Sequence, residues 1–295
     1  MQSGLVVVDK PAGCTSHDVV ARMRRIYGQK RVGHAGTLDP DATGVLLVGL
    51  GRVTRLMRYL QETTKEYRGA VVFGVATTTL DAAGEVVAEQ AMPVTRADVE
   101  HAAVAFVGDI EQVPPMVSAI KVGGKRLHEL ARAGQEVERA PRPVRIDRIT
   151  VEDFTPGDHP VATIHVECGS GTYIRSLAAD LGAALGGPAH LGWLRRLRVG
   201  EFAESEAVAL EDIEADPAAA LRTPADAMRG LARLVVDADG AAAVSHGAPL
   251  PGDLADPAAH GGGPFAVLDP EGALLAVYER RGPVLRPTVV VVGGA

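Results

Sequence analysis

The stretch "GHAGTLDPDATGVLLVGLG", residues 33–51, packs five glycines, one proline and two aspartates into nineteen positions. It ends in an apolar series, Val45 to Leu50, that reads as a buried strand. Its first half specifies the backbone more tightly than a surface loop needs. Glycine admits positive φ and close approach, and Pro40 fixes its own φ. An Asp-Pro pair is ordinarily a turn whose carboxylate accepts neighbouring N–H bonds. A carboxylate held this rigidly has a second reading, as a preorganised reactive group. Local spacing leaves both readings of Asp39 open.

Upstream, "LVVVDK" is a short apolar strand stopped by "PAG", and "SHDVVARMRRIYG" has helical spacing. Ser16 is the expected N-cap, and Val19, Val20, Met23 and Ile26 form the apolar stripe. Downstream, "RVTRLMRYLQE" reads as a helix, "EYRGAVVFGVAT" and "VATIHVECG" as strands, and "TRADVEHAAVAFVG" and "IRSLAADLGAALGG" as helices. Strands and helices alternate without a regular βαβ repeat. The expected fold is therefore α+β, a mixed, largely antiparallel sheet flanked by helices. Residues 114–145 are basic, bounded by prolines and broken by a Gly-Gly pair, and read as an excursion from the core. Beyond about residue 210 an acidic, Ala/Pro-rich connector leads to short strands with Gly/Pro turns. This predicts a small β-rich domain over 229–295 after a main domain of 1–228.

The 295 residues suit two domains, and 46% hydrophobic content is ample for a packed core. Cys14 and Cys168 are the only cysteines, too few for a disulfide framework or a Cys-based zinc site. They suit a reducing cytoplasm. No stretch approaches the ~20 apolar residues of a membrane span. The formal charge is −7, but it is unevenly spread. Residues 1–70 carry 11 basic and 6 acidic side chains; residues 201–295 carry 6 and 15. Local fields steer a phosphate backbone, so the N-terminal excess of +5 is compatible with RNA. A solvated basic face explains the same charge. Phosphate-loop, zinc-protease and nucleophile-elbow patterns do not occur.

"GLVVVDKPAGCTSHDVV", "VGHAGTLDPDATGVLLVGLGRVTR", "KEYRG", "PPMVSAIKVGGKRLHELARAGQEVER", "CGSGTYIRSLAADLG" and "HLGWLRRLRVGEF" follow one another in a specific order. In that order and spacing the chain resembles the TruB family of bacterial tRNA pseudouridine synthases over nearly its whole length. The resemblance implies the pseudouridine synthase fold, an RNA-gripping insertion at about 114–145 and a PUA-like C-terminal domain. It implies isomerisation of uridine to pseudouridine at position 55, in the T loop of tRNA, by a cytoplasmic monomer. That reaction adds and removes no atoms, so it calls for no ATP, redox cofactor or metal. The target base must leave its stack to be reached.

On the same ground Asp39 is the catalytic carboxylate. It acts either as a nucleophile or as a base at C2′, and the sequence does not choose. Arg175 is its expected charge partner. Tyr67 is expected to stack on the flipped base and to remove the final proton, and Tyr173 to line the same pocket. Leu194 closes that pocket. His34 either fills the space left by the base or serves as a structural donor. Lys10, with Asp9, buttresses the floor through ion pairing. Lys121, Lys125 and Arg126 belong to the RNA-gripping insertion. Two other readings compete: a non-catalytic tRNA-binding or folding protein, and a nucleoside N-glycosidase that would release uracil.

Overall fold

The computed structural model describes residues 2–118, 121–122, 125–126, 137–255 and 262–291. Two compact units emerge. One comprises residues 1–40, 44–62 and 199–295, the other residues 41–43 and 63–198.

The first unit is built on strand β1 (Gly4–Lys10) and strand β3 (Thr43–Leu50), which pair antiparallel with Lys10 opposite Gly44. Strand β2 (Val32–Ala35) also pairs antiparallel with β3, placing His34 opposite Val48. Residues 208–209 add a parallel rung to β1, which makes the sheet mixed. β3 is apolar and buried from Gly44 to Leu50 because both its faces are covered. Val6, Val8, Leu46 and Val48 face helix α1 (Ser16–Ile26) through its Val19, Val20 and Met23. Leu5, Val7, Val45 and Leu47 face the opposite way, into a cluster with Ala266, Leu268, Val277 and Val289. The latter residues belong to a five-stranded C-terminal sheet in the order 232–235, 265–268, 274–281, 284–290, 250–251. The other face of that sheet buries Phe265, Val267 and Tyr278 with Val244 of helix Ala238–Ser245.

In the second unit the strands run in the order 189–199, 65–73, 161–168, 142–155, 108–112. The pairs from 65–73 through 108–112 are antiparallel. Val71, Phe73, Ile164 and Val166 pack on Leu177, Ala178 and Leu181 of helix Ile174–Ala184 and on Val99 and Ala103 of helix Arg96–Val104. The α+β fold with a mixed, largely antiparallel sheet thus stands as expected. Between residues 114 and 145, residues 121–122 pair antiparallel with 125–126, so Lys121 lies opposite Arg126. The side chains of Lys121, Lys125 and Arg126 lie outside the described residues.

Three local expectations change. Thr15, rather than Ser16, caps α1: its hydroxyl accepts from the Asp18 N–H, and the Asp18 carboxylate accepts from the Thr15 N–H in return. The "RVTRLMRYLQE" segment is a 3-10 turn, Gly51–Arg55, followed by a short helix, Met57–Gln61. "EYRGAVVFGVAT" breaks at Gly74, whose φ of 86° ends the strand.

Candidate active site

The Asp39 turn is the tip of the β2–β3 hairpin, between Ala35 and Thr43. Gly36 and Gly44 hold φ values of 81° and 98°, which only glycine adopts without strain. Asp39 itself is half-buried. The segment that links β1 to α1 clamps both of its neighbours. The Leu38 N–H donates to the Ser16 hydroxyl at 2.9 Å, and that hydroxyl donates back to the Leu38 carbonyl at 3.1 Å. On the far side, the Lys10 ammonium donates to the Pro40 carbonyl at 2.8 Å and the Gly13 N–H donates to it at 3.1 Å. Lys10 is fully buried and also donates to the Pro11 carbonyl at 2.8 Å. The "DKPAGCTS" and "LDP" segments, some thirty residues apart, therefore form one interlocked structure. Lys10 buttresses the turn through these two carbonyl oxygens.

The second unit gathers Tyr67, Leu194 and the residues around Tyr173 and Arg175. Tyr67 pairs with Val166 in the sheet and packs, with Leu194, on the cluster that holds Ile174 and Leu177. Residues 67 and 69 share a strand face. A Cβ built on Gly69 would meet the Leu194 Cδ1 at 3.1 Å, so Leu194 lies against that face. Tyr173 stands at the N-cap of helix Ile174–Ala184. Its N–H donates to the Gln112 side-chain oxygen at 2.9 Å, and the Gln112 amide donates to the Tyr173 carbonyl at 3.3 Å. Gln112 is buried.

Arg175 is 4% exposed and spans two loops. Its guanidinium donates to the Thr79 carbonyl at 3.1 Å and the Val117 carbonyl at 2.9 Å, and lies 3.5 Å from the Asp81 carboxylate. The Asp81 loop is tightly built. Its carboxylate accepts from the Thr79 hydroxyl at 2.5 Å and its carbonyl from the Thr77 hydroxyl at 2.6 Å; Leu80 beside it has a φ of 64°. Ser176 donates to the Val113 carbonyl at 2.9 Å. Gln112, Arg175 and Ser176 thus make a three-rung ladder between the start of this helix and residues 112–117.

Sequence reasoning missed Ser16's clamp, Gln112 and Asp81. The capping signal was readable, since Thr15 and Asp18 have the capping-box spacing and Ser16 has no acidic residue three places on. Burial pushes the Cys168 thiol up to about 11, which makes it an inert core group rather than a nucleophile. Among the described residues no group of His, Cys, Asp and Glu has the arrangement of a metal site, and no helix is long and apolar enough to cross a membrane.

The N-terminal domain of the TruB family pseudouridylate synthases matches residues 24–174, and the tRNA pseudouridylate synthase B C-terminal domain matches residues 175–241. The tRNA pseudouridine synthase B of Symbiobacterium thermophilum is 54% identical over 245 residues, covering 83% of this chain and 82% of that protein. That of Mycobacteroides abscessus is 46% identical over 295 residues, covering 99% and 96%. Among solved structures, a Cbf5-Nop10-Gar1 complex matches at 26% identity and a TM-score of 0.75, covering 98% of this chain and 85% of the other. An H/ACA RNP bound to a substrate RNA containing 2′-deoxyuridine matches at 24% and 0.74 with the same coverage, a likeness of fold. With both domains matched in order and full-length relatives at this identity, the chain belongs to the TruB family of pseudouridylate synthases.

Proposed function

We propose that this enzyme isomerises uridine to pseudouridine in the T loop of tRNA, at position 55, and that Asp39 is the catalytic carboxylate. The observation that carries the assignment is the double clamp on the Asp39 turn. Two side chains and a main-chain N–H from elsewhere in the sequence fix both neighbours of one half-buried carboxylate. Such immobilisation has little use in a solvated turn and direct use in chemistry that needs a fixed pose. Tyr67, Tyr173, Arg175 and Leu194 serve the extruded nucleotide. Tyr67 and Leu194 pack on the cluster that holds Ile174, the residue between Tyr173 and Arg175, which supports that reading. Extrusion costs a few kcal/mol and is least costly in a loop. RNA shape and phosphates then provide the grip, through the insertion with Lys121, Lys125 and Arg126 and the C-terminal sheet as a PUA-like module over 229–295.

The C1′–N1 bond breaks, the base turns, and C1′ bonds to C5, from which a proton leaves as one returns to N1. Asp39 either attacks covalently or removes the C2′ proton. Asp39→Asn preserves the shape of an Asx turn and removes the charge. The expected result is loss of tritium release from C5-labelled uridine in tRNA, with tRNA affinity within a few-fold of the parent. Turnover by Asp39→Asn above about a tenth of the parent rate, ~1.4 kcal/mol in barrier, would overturn the assignment. In the same assay, released uracil would indicate glycosidase chemistry. Unmodified RNA with the unsubstituted protein would indicate a binding protein.

A further inference from the structure

The peptide plane that leads into Asp39 is held by the Ser16 hydroxyl at the Leu38 carbonyl. Ser16 is 1% exposed and lies at the first turn of α1. Its oxygen accepts the Leu38 N–H and donates to the Leu38 carbonyl, so it satisfies both main-chain groups of one residue as a paired strand would. Leu38 is itself buried. Loss of the hydroxyl would leave an N–H and a carbonyl of a buried residue without that partner.

The consequence for Asp39 is geometric. The Leu38 carbonyl and the Asp39 N–H belong to one planar peptide unit. Fixing that plane fixes one side of the Asp39 backbone. The other side is constrained by Pro40, whose ring restricts the residue before it to extended ψ. The Pro40 carbonyl is in turn held by Lys10 and Gly13. Between these two anchors the main chain of Asp39 is narrowly restricted. The Lys10 bond to the Pro40 carbonyl lies beyond the proline, whereas the Ser16 bond acts on the plane at the N-terminal side. The hydroxyl is free for this work because Thr15, not Ser16, caps the helix.

We infer that Ser16 is a positioning residue for catalysis, setting the pose of the Asp39 carboxylate through the Leu38–Asp39 peptide plane while touching no part of the substrate. The inference rests on Asp39 being the catalytic carboxylate. It assigns a chemical role to the serine of the "CTS" segment, beyond helix initiation. Misplacement of a reacting group by about 1 Å costs on the order of 10²-fold in rate.

The test is single-turnover tritium release from C5-labelled uridine in tRNA, with tRNA affinity and binding stoichiometry measured on the same preparations. Stoichiometry counts folded molecules, so a rate per bound tRNA is insensitive to partial unfolding. Ser16→Ala is expected to lower that rate by about 10- to 100-fold, with affinity within about two-fold. Ser16→Thr, which keeps the hydroxyl, is expected to recover most of the rate. If Ser16→Ala binds no tRNA, Ser16→Cys, with a weak donor of similar size, is judged by the same criterion. A rate per bound tRNA within two-fold of the parent in the variant so judged would overturn the inference. So would a loss confined to affinity. Asp39→Asn run in parallel separates the two questions. An active Asp39→Asn removes the underlying assignment, whereas an inactive Asp39→Asn beside a fully active Ser16→Ala removes only the role of Ser16.

Discussion

Gln112 does for Tyr173 what Ser16 does for Leu38. Each is a buried polar side chain that bonds the N–H and the C=O of one residue distant in sequence. Gln112→Leu keeps comparable bulk and removes both bonds, which leaves a half-buried N–H at a helix start without its cap. The expected cost is about 1–3 kcal/mol, read as a lowered denaturant midpoint with an unchanged slope. An unshifted midpoint would mean that Tyr173 is held by its packing alone. The contrast with Asp39 explains what the sequence could reveal at this scale. Asp39 stands among glycines and next to a proline, so its local composition announces a constrained turn. Gln112 and Asp81 act on partners 61 and 94 positions away, and nothing in the residues around them marks the destination of their bonds.

At the scale of elements, periodicity located the longer helices of the first 200 residues and several central strands, and misjudged where they break. The strand from Arg142 to Thr155 escaped notice because it alternates charged and apolar residues and carries Pro143 near its start. Its apolar positions Val144, Ile146 and Val151 are buried, while the charged ones pair across strands, as Arg68 does with Glu152 at 2.6 Å. The acidic connector beyond about residue 210 likewise hid a structured junction with the residues just before it. Glu206 accepts from Arg229 at 2.6 Å and lies 3.1 Å from Arg222, and Arg229 stacks on the Phe202 ring at 4.1 Å. The Arg229 hydrogen bond, with a backbone N–H from Ala203, holds the Glu206 carboxyl below its ordinary 4.5. A carboxylate depressed in the folded state adds stability above its unfolded pKa, and that stability is lost as pH falls through the folded value. Glu206→Gln is therefore expected to be less stable than the parent near pH 7. The gap should close as pH drops below about 4.5. Thermal denaturation of both proteins at a series of pH values measures it. A gap independent of pH would assign the effect to shape rather than charge.

Over the whole molecule, the C-terminal sheet and the strands beside Asp39 share one compact unit. Arg52 and Arg55 donate to the carbonyls of Val291 and Val290 at 2.6 and 3.0 Å, and the Tyr59 hydroxyl meets that of Thr288 at 2.5 Å. The linear order of motifs gave no sign of this, because it places β3 and the last strand at opposite ends of the chain. Removal of residues 229–295 would uncover apolar side chains on Leu47, Val53 and Leu56 that now pack with Leu268 and Val289. The truncated protein is expected to melt several degrees lower and to bind a hydrophobic dye. An unchanged melting temperature would show that the sheet contributes nothing to the unit's stability. The distribution of charge leads to the remaining expectation. A chain of net charge −7 ought to repel RNA, yet Arg24, Arg25, Lys30 and Arg31 are concentrated near the N-terminus, and Lys121, Lys125 and Arg126 lie in the insertion. Affinity for a polyanion follows the phosphates neutralised at the contact and the counterions released there, not the total charge. Binding to tRNA is therefore expected to weaken steeply with salt. Joint substitution of Lys121, Lys125 and Arg126 by Gln should lower the slope of log K against log salt by about 2–3, if each side chain meets one phosphate. Equilibrium binding at a series of salt concentrations supplies both slopes. Equal slopes would take these three residues out of the RNA interface and leave the N-terminal cations as its source of charge.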